Sequence, residues 1–369
     1  MRGLILGGGV FGTSIAYHLA ARGADVVVIE RSAVACAASG KSGGFLALDW
    51  CDGTPLKALA RRSFALHAKL AEELGGDWGY RRMTTYAGTV GRKTAHGAGV
   101  GPGWVSPEVA IDRQLGSVST TAQVHPAAFT SAMMRAAEER GAELRLGQAT
   151  GLLRRGGNVT GVRLEGEALE GDAVVIAMGP WSVLAAGWLP LPPVYGLKGH
   201  SLVFETGAAL PPEALFLEYA EPDGSMLSPE VFPRADGTTY VCGISSGSPI
   251  PVDPDRVAPD NGAIDRLRTL CALVSPVLAR SRVLASQACY RPVTGDGLPL
   301  IGAVPDAKDA YVATGHSVWG ILNAPATGEA MAELILDGKA RTVDLSPFDP
   351  TRLAALGPER VAVTRRLRR

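Results

Sequence analysis

The chain has 369 residues, with 36 lysines and arginines balanced by 36 aspartates and glutamates. That length exceeds one ordinary core and predicts two domains; the even charge gives no support for nucleic-acid binding. Hydrophobic residues make up 46% and charged residues 20%, a globular composition, and no apolar run reaches the ~18 residues of a membrane-spanning helix.

The chain opens on Leu4-Ile5-Leu6, a short buried strand. Gly7, Gly9 and Gly12 follow as G-x-G-x-x-G, and a helical pattern runs through Ile15, Ala16 and Leu19 to Arg22. Gly23 sits where a helix stops, and Val26-Val27-Val28-Ile29 ends at Glu30. Strand, tight turn, helix, strand and acidic residue come in the order a dinucleotide fold needs. Gly7 allows the turn, Gly9 lets a pyrophosphate approach, and Gly12 lets the helix pack on the strand. The helix N-terminus offers N–H groups and a positive dipole end to phosphates. Glu30 suits a ribose diol and argues against a 2′-phosphate, so NAD and FAD remain. Ser39-Gly40-Lys41-Ser42-Gly43-Gly44 is a second small-residue loop, as a chain running beside a long ligand requires. An NAD-binding unit has no evident need of it, whereas FAD is long enough to touch both.

Pro55 to Leu74 reads as a helix, and residues 80–122 as short strands and loops of a second domain. His125-Pro126 opens a strong helix from Ala127 to Arg140. Glu143 to Leu146 is a strand, and Gly151 to Leu164 a hairpin turning at Gly156-Gly157-Asn158. Asp172 to Gly179 is a buried strand returning to the nucleotide sheet, so a β-meander lies inserted between sheet strands. Trp181 after it reads as a packing residue. Prolines crowd residues 190–285 and exclude long helices there. Ser201–Glu205 and Thr238–Gly243 are strands, and Ala263–Leu273 is a helix, so an antiparallel sheet is expected. Cys289-Tyr290-Arg291-Pro292-Val293-Thr294-Gly295-Asp296-Gly297 comes next. Tyr311 to His316 is then strand and small-residue turn, with a helix from about Pro325 to Leu336. Its N-terminus would stabilise negative charge on a reduced flavin.

Cys36, Cys51, Cys242, Cys271 and Cys289 are odd in number and lack C-x-x-C spacing, so neither a disulfide framework nor a metal site is expected. The first strand begins almost at Met1 and leaves no room for a signal peptide. A reducing, cytoplasmic setting is expected, with a removed organellar targeting segment left open. Arg365-Arg366-Leu367-Arg368-Arg369 reads as a solvated basic tail.

The sequence resembles the D-amino-acid oxidase superfamily of FAD-dependent oxidoreductases, which includes glycine oxidase and sarcosine oxidase. The resemblance covers nearly the whole chain. It rests on Gly7-x-Gly9-x-x-Gly12 with Glu30-Arg31, the Ser39–Gly44 loop and the Ala177-Met178-Gly179 turn. Arg291-Pro292-x-Thr294-x-Asp296-Gly297 and the Gly315–Gly320 turn complete it. It implies an α/β fold in which a Rossmann-type FAD-binding domain with the inserted meander faces an α+β domain built on a mostly antiparallel sheet. The expected division is 1–80, 123–185 and 286–345 for FAD, 81–122 and 186–285 for substrate, and 346–369 as a tail. The implied reaction is oxidation of a C–N bond of an amino acid or secondary amine, by hydride transfer to flavin N5 to give an imine.

Residues expected at the cofactor are Gly7, Gly9, Val10, Phe11, Gly12, Glu30, Arg31, Ser39, Lys41, Ser42, Gly43, Gly44 and Val124. Ala177, Gly179, Trp181, Cys289, Arg291, Gly315, His316, Val318, Trp319, Gly320 and Ile321 complete that set. Arg291 matches the arginine that grips a substrate carboxylate in glycine oxidase, and a planar, always-charged fork suits that task. Tyr240 and His316 are the other catalytic candidates; Tyr195, Lys198, His200 and Trp319 are weaker ones. Cys289 precedes Asp296 by the interval seen for the cysteine that sarcosine-oxidase-type members join to FAD, whereas glycine-oxidase-like members hold FAD non-covalently. No lysine stands on Thr239–Gly243, where sarcosine-oxidase-type members carry one that promotes reaction with oxygen, so the electron acceptor stays open. Two other readings stand beside this one: an NAD-dependent dehydrogenase, and a flavin-bound assembly or regulatory protein without turnover. The substrate's side chain, its stereochemistry and the oligomeric state are not legible.

Overall fold

The computed structural model describes residues 1–91 and 101–356, so the basic tail at 365–369 lies outside the described residues. The fold is mixed α/β. Its first sheet has six strands, ordered Leu300–Ala303, Ala310–Thr314, Ala173–Ile176, Arg2–Leu6, Asp25–Glu30, Glu143–Leu146. Five run parallel, and Leu300–Ala303 pairs antiparallel at one edge.

Alternation along these strands decides which layer each side chain joins. Ile5, Val26, Val28 and Val175 pack with the helices Val10–Ala20, Lys57–Glu73, Pro126–Glu138 and Gly320–Asp337. Leu4, Leu6, Val27, Ile29, Val174 and Ile176 face the other way. There they meet Val159, Val162 and Leu164 of a three-stranded meander, Ala149–Arg155, Asn158–Leu164 and Ala168–Glu170. The meander takes the place of a helical layer, and both sheet faces are covered. The hairpin turn falls at Gly156-Gly157, both with positive φ, as expected.

The last helix begins at Gly320, five residues before the expected start at Pro325. Proline is favoured in a first turn, which makes Pro325 a misleading start signal. Here it lies inside the helix, where its missing N–H frees a carbonyl and its ring disturbs the next bond. The neighbouring Lys57–Glu73 helix makes up both losses. His67 Nε2 lies 2.9 Å from the Ile321 carbonyl and 3.2 Å from that of Leu322, and the Ala326 N–H donates to Ser63 Oγ at 3.1 Å. His67 must carry its proton on Nε2 to donate to those carbonyls. Burial lowers its pKa to about 4, which keeps the ring neutral.

The second sheet has eight strands. Seven follow the order Arg282–Val293, Tyr195–Glu205, Thr238–Ser246, Glu230–Pro233, Glu213–Ala220, Thr84–Val90, Val109–Gly116, and Met226–Leu227 pairs beside Glu213–Ala220. All pairs are antiparallel except Glu213–Ala220 with Thr84–Val90. The helix Ala263–Val274 closes one face through Leu267 and Leu270 against Leu202, Phe204 and Val241. The opposite face carries Val203, Phe232, Tyr240 and Cys242 and looks toward the first sheet's ligand edge. Residues 286–293, grouped from sequence with the first unit, hydrogen-bond within this second sheet, because Arg282–Val293 pairs continuously with Tyr195–Glu205.

Candidate active site

A cleft of about 500 Å³ opens at the carboxyl ends of Arg2–Leu6, Asp25–Glu30 and Ala173–Ile176 and runs beneath the second sheet. This is the switch point of the parallel sheet, where neighbouring connections leave to opposite sides. One end is lined by Gly7, Gly9, Val10, Glu30, Gly147 and Ala177, the other by Gly199, Glu230, Tyr240, Cys242, Cys289 and Arg291.

Close packing shapes the first end. Gly7 has φ +113°, and a Cβ there would meet the Ala177 carbonyl oxygen at 2.5 Å. A Cβ on Gly12 would sit 1.9 Å from the Gly7 carbonyl oxygen, so the helix rests directly on the turn before it. Gly9 caps the helix without a side chain. Ser39 Oγ accepts from the Val10 N–H at 2.9 Å, pinning the second glycine loop to the first. Phe11 and Gly12 keep N–H groups with no intrahelical acceptor. Glu30 accepts from Gly8 N–H at 2.7 Å through Oε2 and from Ser32 N–H at 2.9 Å through Oε1. Oε1 also takes a weak contact from Cys36 Sγ at 4.0 Å, Oε2 retains a lone pair, and the carboxylate lines the cleft.

The far end is built by strand register. Glu230 lies opposite Cys242, Cys242 opposite Ser201, and Gly199 opposite Cys289, with Arg291 two residues beyond. Residues directly opposite, or two apart on one strand, share a face, so these groups converge. The Arg291 guanidinium reaches over Gly199, where a Cβ would lie 3.6 Å from Cζ, and donates to Ser245 Oγ at 3.2 Å. Glu230 accepts a weak bond from Cys242 Sγ at 3.5 Å; burial raises its carboxyl above the usual carboxylate range while Arg291 draws it down. Burial also pushes up the Tyr240 hydroxyl and the Cys242 thiol, so both stay protonated at neutral pH. Cys289 Sγ lies 4.0 Å from the Lys41 carbonyl oxygen, and burial raises its thiol despite Arg291 and Lys41.

The chain matches the DAO family, FAD dependent oxidoreductase, over residues 3–334. It belongs to this family of FAD-dependent oxidoreductases. Glycine oxidase of Geobacillus kaustophilus is 28% identical over 94% of this chain and 96% of its own. A Schizosaccharomyces pombe protein named only as an oxidoreductase is 29% identical over 94% and 97%. The crystal structure of glycine oxidase from Geobacillus kaustophilus superposes with a TM-score of 0.78, at 25% identity, covering 96% of this chain and 100% of that one.

The cleft fits FAD on its own evidence. The Phe11 N–H, free of any intrahelical acceptor, lies at the cleft and suits an anion, and the glycine packing leaves the backbone bare. In this FAD-dependent oxidoreductase most of the residues singled out from sequence line the cleft. They are Gly7, Gly9, Val10, Phe11, Glu30, Arg31, Ser39, Ser42, Gly43, Ala177, Gly179, Trp181, Tyr240, Cys289, Arg291, Val318, Gly320 and Ile321. Arg31 is tied to the loop that carries the lining residues Val252 and Pro254, donating to the Val252 carbonyl at 3.2 Å and pairing with Asp253 at 3.3 Å. Trp181 holds the same loop through Nε1 and the Pro251 carbonyl at 2.8 Å, so it packs and lines at once.

Others stand back from the lining. Gly12 lies under the turn, Gly44 and Val124 bond each other at 3.0 Å, and Lys41, Gly315 and Trp319 do not face the cleft. His316 is 2% exposed and stacks on Phe11 with ring centroids 3.8 Å apart. Burial lowers its pKa to about 3, and Nε2 lies 3.3 Å from Thr327 Oγ1, so it buttresses Phe11 from behind. Lys198 pairs with Asp260 at 2.5 Å, and His200 accepts from the Asp260 N–H at 3.1 Å. Both side chains lie away from the cleft, and Tyr195 is exposed.

Sequence reasoning missed Glu230, Cys242 and Gly199, and also Gly147 to Thr150, Val252 and Pro254. Gly147 follows the strand beside Glu30, so the carboxyl-edge rule would have found it. Glu230 alternates with Val231 and precedes Phe232 on one strand, a lone carboxylate on an otherwise apolar pattern.

The five cysteines are free thiols. Among the described residues no group of three or more His, Cys, Asp or Glu is placed to hold a metal ion, and no helix is long and apolar enough to cross a membrane.

Proposed function

We propose that this enzyme oxidises the C–N bond of an amino acid or an N-substituted amino acid, with Arg291 binding the substrate carboxylate. The carrying observation is the state of Arg291. Its guanidinium faces the cleft, and among the described residues it bonds only Ser245 Oγ and has no carboxylate within 4 Å. A half-buried cation left in that condition is complementary to an anion from outside. Kinship with proteins named glycine oxidase supports the same substrate class.

The Phe11 N–H and the bare backbone of the Gly7–Gly9 turn would hold the pyrophosphate, and Glu30 a ribose diol. Ser317, Val318, Gly320 and Ile321 line the cleft at the start of the last helix, whose positive end would favour charge on a reduced flavin. Bound FAD supplies the acceptor for the α-hydride. Arg291 fixes the carboxylate and so orients the α-carbon, and the second sheet excludes water from it. We read the cofactor as non-covalent, since the Cys289 thiol is driven toward its protonated form.

The test is anaerobic titration of the purified, yellow protein with glycine, N-methylglycine, D-alanine and L-proline. Bleaching of the flavin by at least one of them, and by no amine lacking a carboxylate, is the expected result. Bleaching by methylamine as readily as by an amino acid would overturn the reading.

A further inference from the structure

The far end of the cleft holds one anion as well as one cation. Glu230 lines it from the Glu230–Pro233 strand, and Arg291 lines it from the Arg282–Val293 strand. Among the described residues they are not within 4 Å of each other, and neither has another ionic partner within that distance. Each influences the other's ionisation, so they share one electrostatic environment. Two opposite charges facing one cavity without closing on each other match a ligand that carries both, in the reverse sense.

We propose that Glu230 is the amine anchor of the active site: it binds the substrate ammonium and takes its proton, while Arg291 holds the carboxylate. This rests on the amino-acid reading above and deepens it. In the step, an ammonium N–H bond breaks, the proton joins a Glu230 carboxylate oxygen, and the electron pair stays on nitrogen. The neutral amine is the form able to lose an α-hydride. Burial that raises the Glu230 carboxyl improves it as a proton acceptor. The titratable groups around it are Cys242 and Tyr240 on one strand and Cys289 and Arg291 on another, and Arg291 is the only one charged at neutral pH. Phe216 lies directly opposite Glu230 on the adjoining strand and stacks edge-on with Phe45 and Trp50, ring centroids 5.0 and 4.9 Å apart. That aromatic neighbour adds no donor beside the weak one from Cys242 Sγ, so Glu230 keeps acceptor capacity for the ligand.

The experiment compares wild type with Glu230→Gln, a change that preserves shape. Calorimetry on the dithionite-reduced holoprotein, where glycine cannot be oxidised, measures glycine and acetate separately. The variant should retain FAD, bind acetate as well as wild type or more tightly, and bind glycine at least tenfold more weakly. Anaerobic stopped-flow adds a second readout: reduction of Glu230→Gln should be slow at neutral pH and recover as pH rises toward the pKa of the free amine. Equal weakening of glycine and acetate would mean a merely structural role, and unchanged glycine binding with an unchanged pH profile would mean none; both overturn the proposal. Wild type that binds acetate but gains nothing from the ammonium of glycine overturns Glu230 alone. Wild type that binds neither overturns the carboxylate reading of Arg291 with it.

Discussion

At the nucleotide end of the cleft, Gly7, Gly9, Val10 and Glu30 come from one strand–turn–helix–strand unit. At the other end, Glu230, Tyr240, Cys242, Cys289 and Arg291 come from three strands of a different sheet. The first end is made by backbone: bare N–H groups and turns that exclude a Cβ. The second is made by side chains that meet because strand register places them on one face. Backbone geometry of the first kind is local, so a single altered glycine breaks it outright. Side-chain convergence of the second kind is dispersed, and each group can be removed while the sheet persists. Substitutions at the first end should therefore cost the cofactor, and those at the second should spare the cofactor and cost the substrate.

Gly12→Val is the strongest test. Its Cβ would lie 1.9 Å from the Gly7 carbonyl oxygen, and backbone on both sides cannot yield. The expected outcome is protein that is colourless after gel filtration or does not fold; wild-type flavin content would break the comparison. Arg291→Ala should keep its colour. Removing the guanidinium should raise the apparent KM for an amino acid by roughly 30- to 1,000-fold, which corresponds to about 2–4 kcal/mol for a partly buried charge pair. Loss of FAD in that variant would show that the two ends are not separable. Cys289→Ser should have the smallest effect. Acid precipitation of wild type should leave yellow supernatant, and the variant should behave alike. A yellow pellet from wild type, turning clear in the variant, would establish a covalent link and join the two ends chemically.

The same difference explains what could be read from the chain. Gly7-x-Gly9-x-x-Gly12 followed by Glu30 was legible because each residue's task is set by neighbours close in sequence. The meander was legible from Gly156-Gly157-Asn158 between strand-like runs. Arg291 and Cys289 were reached through the resemblance, and they do face the cleft. His316 was drawn in by standing next to Gly315, yet its ring turns inward onto Phe11, a contact between residues far apart in the chain. Pro325 looked like a helix start until His67 and Ser63, on another helix, took up the bonds it disrupts.

By itself the sequence determined the buried strands of the first sheet, the turn that receives a dinucleotide and the family to which the enzyme belongs. Periodicity and tight turns are properties of short stretches, and the chain writes them directly. Only the tertiary structure decided that Glu230 and Arg291 share one cavity with no ion pair to either among the described residues, that His316 stands behind it and that Val252 and Pro254 line it from a loop held by Trp181 and Arg31. Those facts depend on which strands pair and in what register, and register is fixed by burial of a whole sheet face.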